Sequence, residues 1–153
     1  MTKAESKVID FIKKHILLFL LVAVTIIAIF LRVCGMDFQS DDFNSFLNSW
    51  WSIIKLNDFT GLATQVGNYN IPYQIIIYLM TLLPLNALYA YKIVSIIFDF
   101  VLAISTAMLA YSFAKNNRRL KAILTYSAVL LSATVIFNSS FWAQCDSIYT
   151  SFI

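Results

Sequence analysis

The stretch Ile71-Pro72-Tyr73-Gln74-Ile75-Ile76-Ile77-Tyr78-Leu79-Met80-Thr81-Leu82-Leu83-Pro84-Leu85-Asn86-Ala87-Leu88 decides how the chain is threaded. It is apolar enough for lipid, yet Pro72 and Pro84 bracket a core of only about a dozen residues. Crossing about 30 Å of hydrocarbon takes roughly 20. Such a length suits an interfacial or re-entrant segment. Charge gives a second argument. If this stretch crossed, the next apolar block, Lys92 to Ala114, would return outward. Lys115, Arg118, Arg119 and Lys121 would then lie outside, against the bias that keeps basic loops in the cytoplasm. If the stretch stays on the outer face, that loop is cytoplasmic.

Outward from it, the composition excludes a water-soluble domain. Of 153 residues, 60% are hydrophobic and 12% charged, where soluble domains carry about a quarter charged; the mean hydropathy is +0.77. The apolar residues come in blocks, so the expected fold class is all-α: a polytopic transmembrane helix bundle with membrane-parallel helices in the first extracytoplasmic loop. Residues 1–15 form a lysine-bearing cytoplasmic N-terminus, 16–34 helix one, 35–91 the outer loop, 92–114 helix two, 115–121 the basic cytoplasmic loop and 122–138 helix three. Residues 139–153 form a second outer loop and the start of a further helix, which predicts that the chain is a fragment. A cleaved signal peptide is the rival reading of helix one, but Leu31, Arg32 and Val33 offer no small-residue cleavage site. The predicted location is the plasma membrane, with the lipid bilayer as the first partner.

The net charge of +3 sits in two clusters beside apolar blocks, which points to membrane orientation and away from nucleic acid. Cys34 and Cys145 lack the spacing of a zinc or redox motif, and a disulfide between them is not expected. In the outer loop, Ser40 or Asp41 is placed to cap a helix through Phe46, Leu47, Trp50, Trp51 and Ile54, whose apolar positions recur at three and four. The paired tryptophans suit the headgroup level.

Three groups of polar residues stand out. Asp37, Asp41 and Asp42 follow helix one and suit either a helix start or an acid–base pair. Asn138 to Tyr149 carries Gln144 and Asp146 between Trp142 and Tyr149, as a solvated loop with an aromatic belt or as a sugar or phosphate site. Asp99 lies within helix two, where an ionisable group needs a partner or a water-filled cavity. Lys92 reaches only part of the way, so a partner on another helix is expected. His15, beside Lys14 at the boundary, is read as a solvated flank.

Taken in order, Ser-Asp-Asp-Phe-Asn-Ser-Phe-Leu-Asn-Ser-Trp (40–50), Asn-Tyr-Asn-Ile-Pro-Tyr-Gln (68–74), Tyr-Lys-Ile-Val-Ser-Ile-Ile-Phe-Asp-Phe (91–100) and Phe-Asn-Ser-Ser-Phe-Trp-Ala-Gln-Cys-Asp-Ser-Ile-Tyr (137–149) resemble the N-terminal module of GT-C-type membrane glycosyltransferases, particularly bacterial mannosyltransferase-like members. The resemblance covers roughly 35–149. It implies a polyprenyl-phosphate-linked sugar as donor and a glycan or lipid-linked acceptor in the cell envelope, with no nucleic acid involved. The family's loop aspartate, in a small-residue, Asp, aromatic pattern, corresponds to Asp42, with Asp41 where glycine is common. Trp-Ala-Gln-Cys-Asp matches a frequent Trp-Gly-Gln-x-Asp form, with Ala143 replacing glycine. The resemblance therefore implies Asp42 and Asp146 as catalytic and Asp41, Trp142, Gln144 and Lys92 as substrate-binding. Arg32, Lys55 and Lys92 are the outer-side cations for phosphate. A divalent cation between the two acidic loops stays open, since some relatives hold one and two carboxylates make a thin shell.

The enzyme reading expects Asp42 and Asp146 to approach within about 10 Å, as in sugar-transfer sites, and expects this length of chain to be inactive by itself. A structural or partner-binding membrane protein would use the aspartates as caps, Asp99 as glue and a closed bundle. A transport-type reading would set Asp99 on an ion path, with at least one more embedded polar partner.

Overall fold

The structure, a computed structural model, describes residues 3–153; Met1 and Thr2 and the side chains of residues 3, 4, 6 and 8, Lys3 of the basic flank among them, lie outside the description. The described residues are all-helical, without strands.

Helix α1 runs Lys3–Val33, about 46 Å at the helical rise, so it begins well before the expected residue 16. No proline or glycine interrupts the flank, and Glu5 in the first turn complements the helix dipole. Helix α4, Ala87–Phe113, starts before Lys92 because Asn86 caps it: its Oδ1 accepts the Tyr89 N–H at 2.9 Å. The third expected helix, 122–138, is a broken pair. Helix α5 (Arg118–Leu130) gives way to an extended Ser132, then α6 (Ala133–Ile136) continues into a wide turn, Phe137–Phe141. The two parts meet at 50°. Two helices, α1 from Ile9 and α4, are long and apolar enough to cross a membrane, or three if the bent pair forms one span.

Cross-contacts give the helix directions. Thr25 Oγ1 and Tyr126 Oη lie 3.0 Å apart, and Arg32 near the end of α1 meets Asp99 in the first half of α4. Helices α1 and α5 therefore run one way and α4 the other. Ala28 and Ala103, both fully enclosed, let the backbones approach beside Val24, Tyr126 and Leu130. Ile26, Phe30, Ile97, Ile104 and Met108 are exposed on the outside of these helices, as side chains that face lipid are.

At the other end a second core fills the space under segment 35–91. Asp41 and Asp42 open a helix that widens at Phe43–Leu47 and continues as α2, Asn48–Asn57. Of the two expected caps, Ser40 and Asp41, it is Ser40 that starts it: Ser40 Oγ accepts the Phe43 N–H at 3.1 Å. Helix α3, Ile71–Thr81, spans roughly 16 Å, about half the hydrocarbon thickness. Its Tyr73, Ile77 and Met80 pack with Trp51, Ile54 and Tyr91. Gln74, also buried, pins the preceding loop by accepting the Val66 N–H at 3.1 Å and donating to the carbonyls of Gly61 and Thr64, each at 2.7 Å. The proline-bounded stretch is thus held along the core.

Candidate active site

The loop after Phe141 reaches the same end of the bundle as segment 35–91. Ser40 Oγ donates to the Trp142 carbonyl at 3.3 Å, and a Cβ on Gly35 would stand 2.7 Å from the Phe141 ring. The two acidic segments, about a hundred residues apart, are therefore neighbours. Ala143 makes the turn between them with φ +58°, the left-handed region that glycine adopts freely. It then sends Gln144 back toward α2.

Gln144 joins the segments. Its Nε2 donates to Asp42 Oδ2 at 3.0 Å and its Oε1 accepts from Tyr69 Oη at 3.0 Å. A tyrosine donates only while protonated, and burial, reinforced by neighbouring Cys145 and Asp146, pushes the Tyr69 phenol well above its usual range. The protonated phenol fixes the amide so that its N–H side faces the carboxylate, and among the described residues Asp42 Oδ1 has no hydrogen-bond partner. Around this triad is a cleft of about 200 Å³ lined by Asp42, Phe46, Leu47, Trp50, Asn68, Tyr69 and Gln144. Trp50 meets Tyr69 edge-on at 5.3 Å, and Gly67, at φ +74°, passes so close that a Cβ there would stand 2.3 Å from the indole. A carboxylate, two amides and three aromatic rings form the kind of surface that takes hydroxyl-rich ligands.

Asp146, on the exposed side of the same loop, accepts from Asn138 Nδ2 at 2.8 Å. Its charge acts on Tyr69 and Tyr149, though it does not line the cleft wall. Asp41 is exposed and also lies off the wall. Trp142 packs on Phe137 at 6.4 Å with half its surface exposed, and contributes its carbonyl to Ser40. Lys92, expected to hold substrate, is fully enclosed: Nζ donates to the carbonyls of Gly35, Met36 and Phe38 at 2.7, 3.0 and 2.5 Å. All three hydrogens are used, so the ammonium ties down the turn that follows α1 and offers nothing to a phosphate. Arg32 is likewise withdrawn. Nε donates to Asp99 Oδ2 at 2.9 Å, Nη2 lies 2.9 Å from the same oxygen, and Nη1 donates to the Ala28 and Leu130 carbonyls at 3.1 and 3.0 Å. The Leu130 carbonyl is one that the break after α5 leaves without a helical partner, so the bend and the arginine answer each other.

Asp99 thus has its partner on another helix. Ser139 Oγ donates to its Oδ2 at 2.6 Å and Ser147 Oγ to its Oδ1 at 2.5 Å, with the carboxylate fully enclosed. Ser147 adjoins Asp146, so this network also holds the second acidic loop. Cys34 and Cys145 are both free thiols, the first exposed and the second buried. Among the described residues no group of three His, Cys, Asp or Glu side chains could hold a metal ion. Asp42 and Asp146, each already held by an amide, are too few ligands for a divalent cation.

Sequence reasoning missed Tyr69, Trp50 and Asn68 as cleft residues, although Asn68 and Tyr69 stand in the 68–74 motif. It also missed the hydroxyls of Ser139 and Ser147, which no spacing marks as partners of Asp99. No family model, curated protein or solved structure matches the chain.

Proposed function

We propose that the chain is a module of a GT-C-type integral membrane glycosyltransferase, a hexosyltransferase moving a sugar from a polyprenyl-phosphate donor to an extracytoplasmic glycan or lipid-linked acceptor in cell-envelope synthesis. In this reading it is a multi-pass protein of the plasma membrane with its N-terminus in the cytoplasm. The basic residues Lys115, Arg118, Arg119 and Lys121 lie at the end of the bundle opposite the acidic loops, as the positive-inside bias requires.

The observation that carries the proposal is the bridge from Tyr69 through Gln144 to Asp42, which presents one free carboxylate oxygen in a polar, aromatic-walled cleft. In the reaction, an acceptor hydroxyl oxygen attacks the sugar C1 while the bond from C1 to the phosphate oxygen breaks. The electron pair leaves with the polyprenyl phosphate, and Asp42 takes the hydroxyl proton as general base. Asp146, oriented by Asn138, is the second carboxylate at this end. With Arg32 and Lys92 committed elsewhere, Lys55 is the exposed cation of the outer segment left to attract the phosphate. An open cleft also favours this reading over a closed structural bundle. The full enclosure of Asp99 favours a packing role for that residue over an ion path.

Replacing Asp42 by Asn in the chromosomal gene should lower transfer from polyprenyl-phosphate mannose, assayed in isolated membranes, by about a hundred-fold or more. Turnover equal to wild type removes Asp42 as the base.

A further inference from the structure

The helix that begins at Asp41 has a second polar flank. Asn44 and Asn48 fall one turn apart and about half a turn around the axis from Asp42, Phe46 and Trp50. They face a cleft of about 500 Å³ completed by Asp37, Gln39, Asn86 and Tyr89, with Phe43 and Leu88 as buried apolar lining.

Most of its hydrogen-bonding capacity is unspent. Asp37 Oδ1 accepts from Tyr89 Oη at 2.6 Å, leaving Oδ2 open. Asn86 uses Oδ1 as the α4 cap, leaving its NH2. The side chains of Gln39, Asn44 and Asn48 make no hydrogen bond within the described residues. Four primary amides and one carboxylate offer paired donors and acceptors, which match the alternating hydroxyls of a sugar. The Lys92 ammonium, near Asp37, has its three hydrogens on backbone carbonyls. Such a cleft discriminates against phosphate and favours an uncharged ligand.

We propose that this second cleft is a binding site for a neutral glycan chain, distinct from the cleft around Asp42. It would hold the body of the acceptor, and to that extent it rests on the glycosyltransferase reading; binding itself needs no catalysis.

The test is ligand-observed NMR on the chain in lipid nanodiscs, with mannotriose, maltotriose and cellotriose at about 10 mM. At least one should bind. The affinity should fall about ten-fold in Asn44→Ala/Asn48→Ala, stay within about two-fold in Asp42→Asn, and be untouched by excess inorganic phosphate. The independent pair Asp37→Asn/Gln39→Ala should weaken it as well, and unchanged circular dichroism certifies the fold of each variant. Absence of binding by any trisaccharide overturns the site. So does binding that is lost in Asp42→Asn but kept in both paired variants, which would put the sugar in the first cleft. Binding with the expected pattern but without transfer by membranes of cells expressing the chromosomal gene would leave this site standing and remove the glycosyltransferase reading.

Discussion

Two residues with left-handed backbone shape the first cleft, and substitution at one costs far more than at the other. At Gly67 both the φ of +74° and the Trp50 ring 2.3 Å from a would-be Cβ oppose a side chain. Gly67→Ala should therefore destabilise by about 2 kcal/mol or more and displace Trp50. The measurements are a lower midpoint of thermal unfolding in detergent and a red-shifted tryptophan emission; an unshifted spectrum counts against the contact. At Ala143 the backbone strain, about 1 kcal/mol, is relieved by glycine, while burial of one methyl, about 0.8 kcal/mol, is lost. Ala143→Gly should leave the unfolding midpoint within a few degrees of wild type. In the sequence Ala143 stands out only against the frequent Trp-Gly-Gln-x-Asp form of the proposed family. The reason, a left-handed turn aiming Gln144 at Asp42, belongs to the folded chain.

The helices were legible in outline, and their ends were not. Blocks of apolar residues gave α1, α4 and the region of α5, and the two prolines gave the shortness of α3. The break after Leu130 has no proline or glycine to announce it; it depends on Arg32 reaching its carbonyl from another helix. In the sequence Arg32 stands at the edge of an apolar run, the place of an outer cation. Only the packing of α1 against α4 and α5 turns it inward to Asp99. This buried pair predicts a particular pattern. Arg32→Met and Asp99→Leu should each cost about 3–5 kcal/mol by stranding the other charge, and the double variant should cost less than either alone. Thermal unfolding of the four proteins in nanodiscs measures it. Additive losses would mean that the two groups do not depend on each other.

For the molecule in its membrane, the deciding relation is that residues 35–91 and 138–147 share one end and the basic loop the other. With Cys34 replaced by alanine and Cys145 buried, cysteines introduced one at a time at Lys55 and Lys121 report on the two ends. In intact cells an impermeant maleimide should label the position 55 thiol and spare the one at 121; the reverse pattern inverts the proposed orientation. The bond from Gln144 to Asp42 joins residues 102 apart, which has a consequence for biosynthesis. At translation rates of about 5–20 residues per second, roughly 5–20 s elapse between the emergence of the carboxylate and that of the amide that orients it. Through that interval the cleft stands without Gln144, the side chain that ties Asp42 to Tyr69, so the carboxylate acquires its orientation only after the loop past Phe141 has been made.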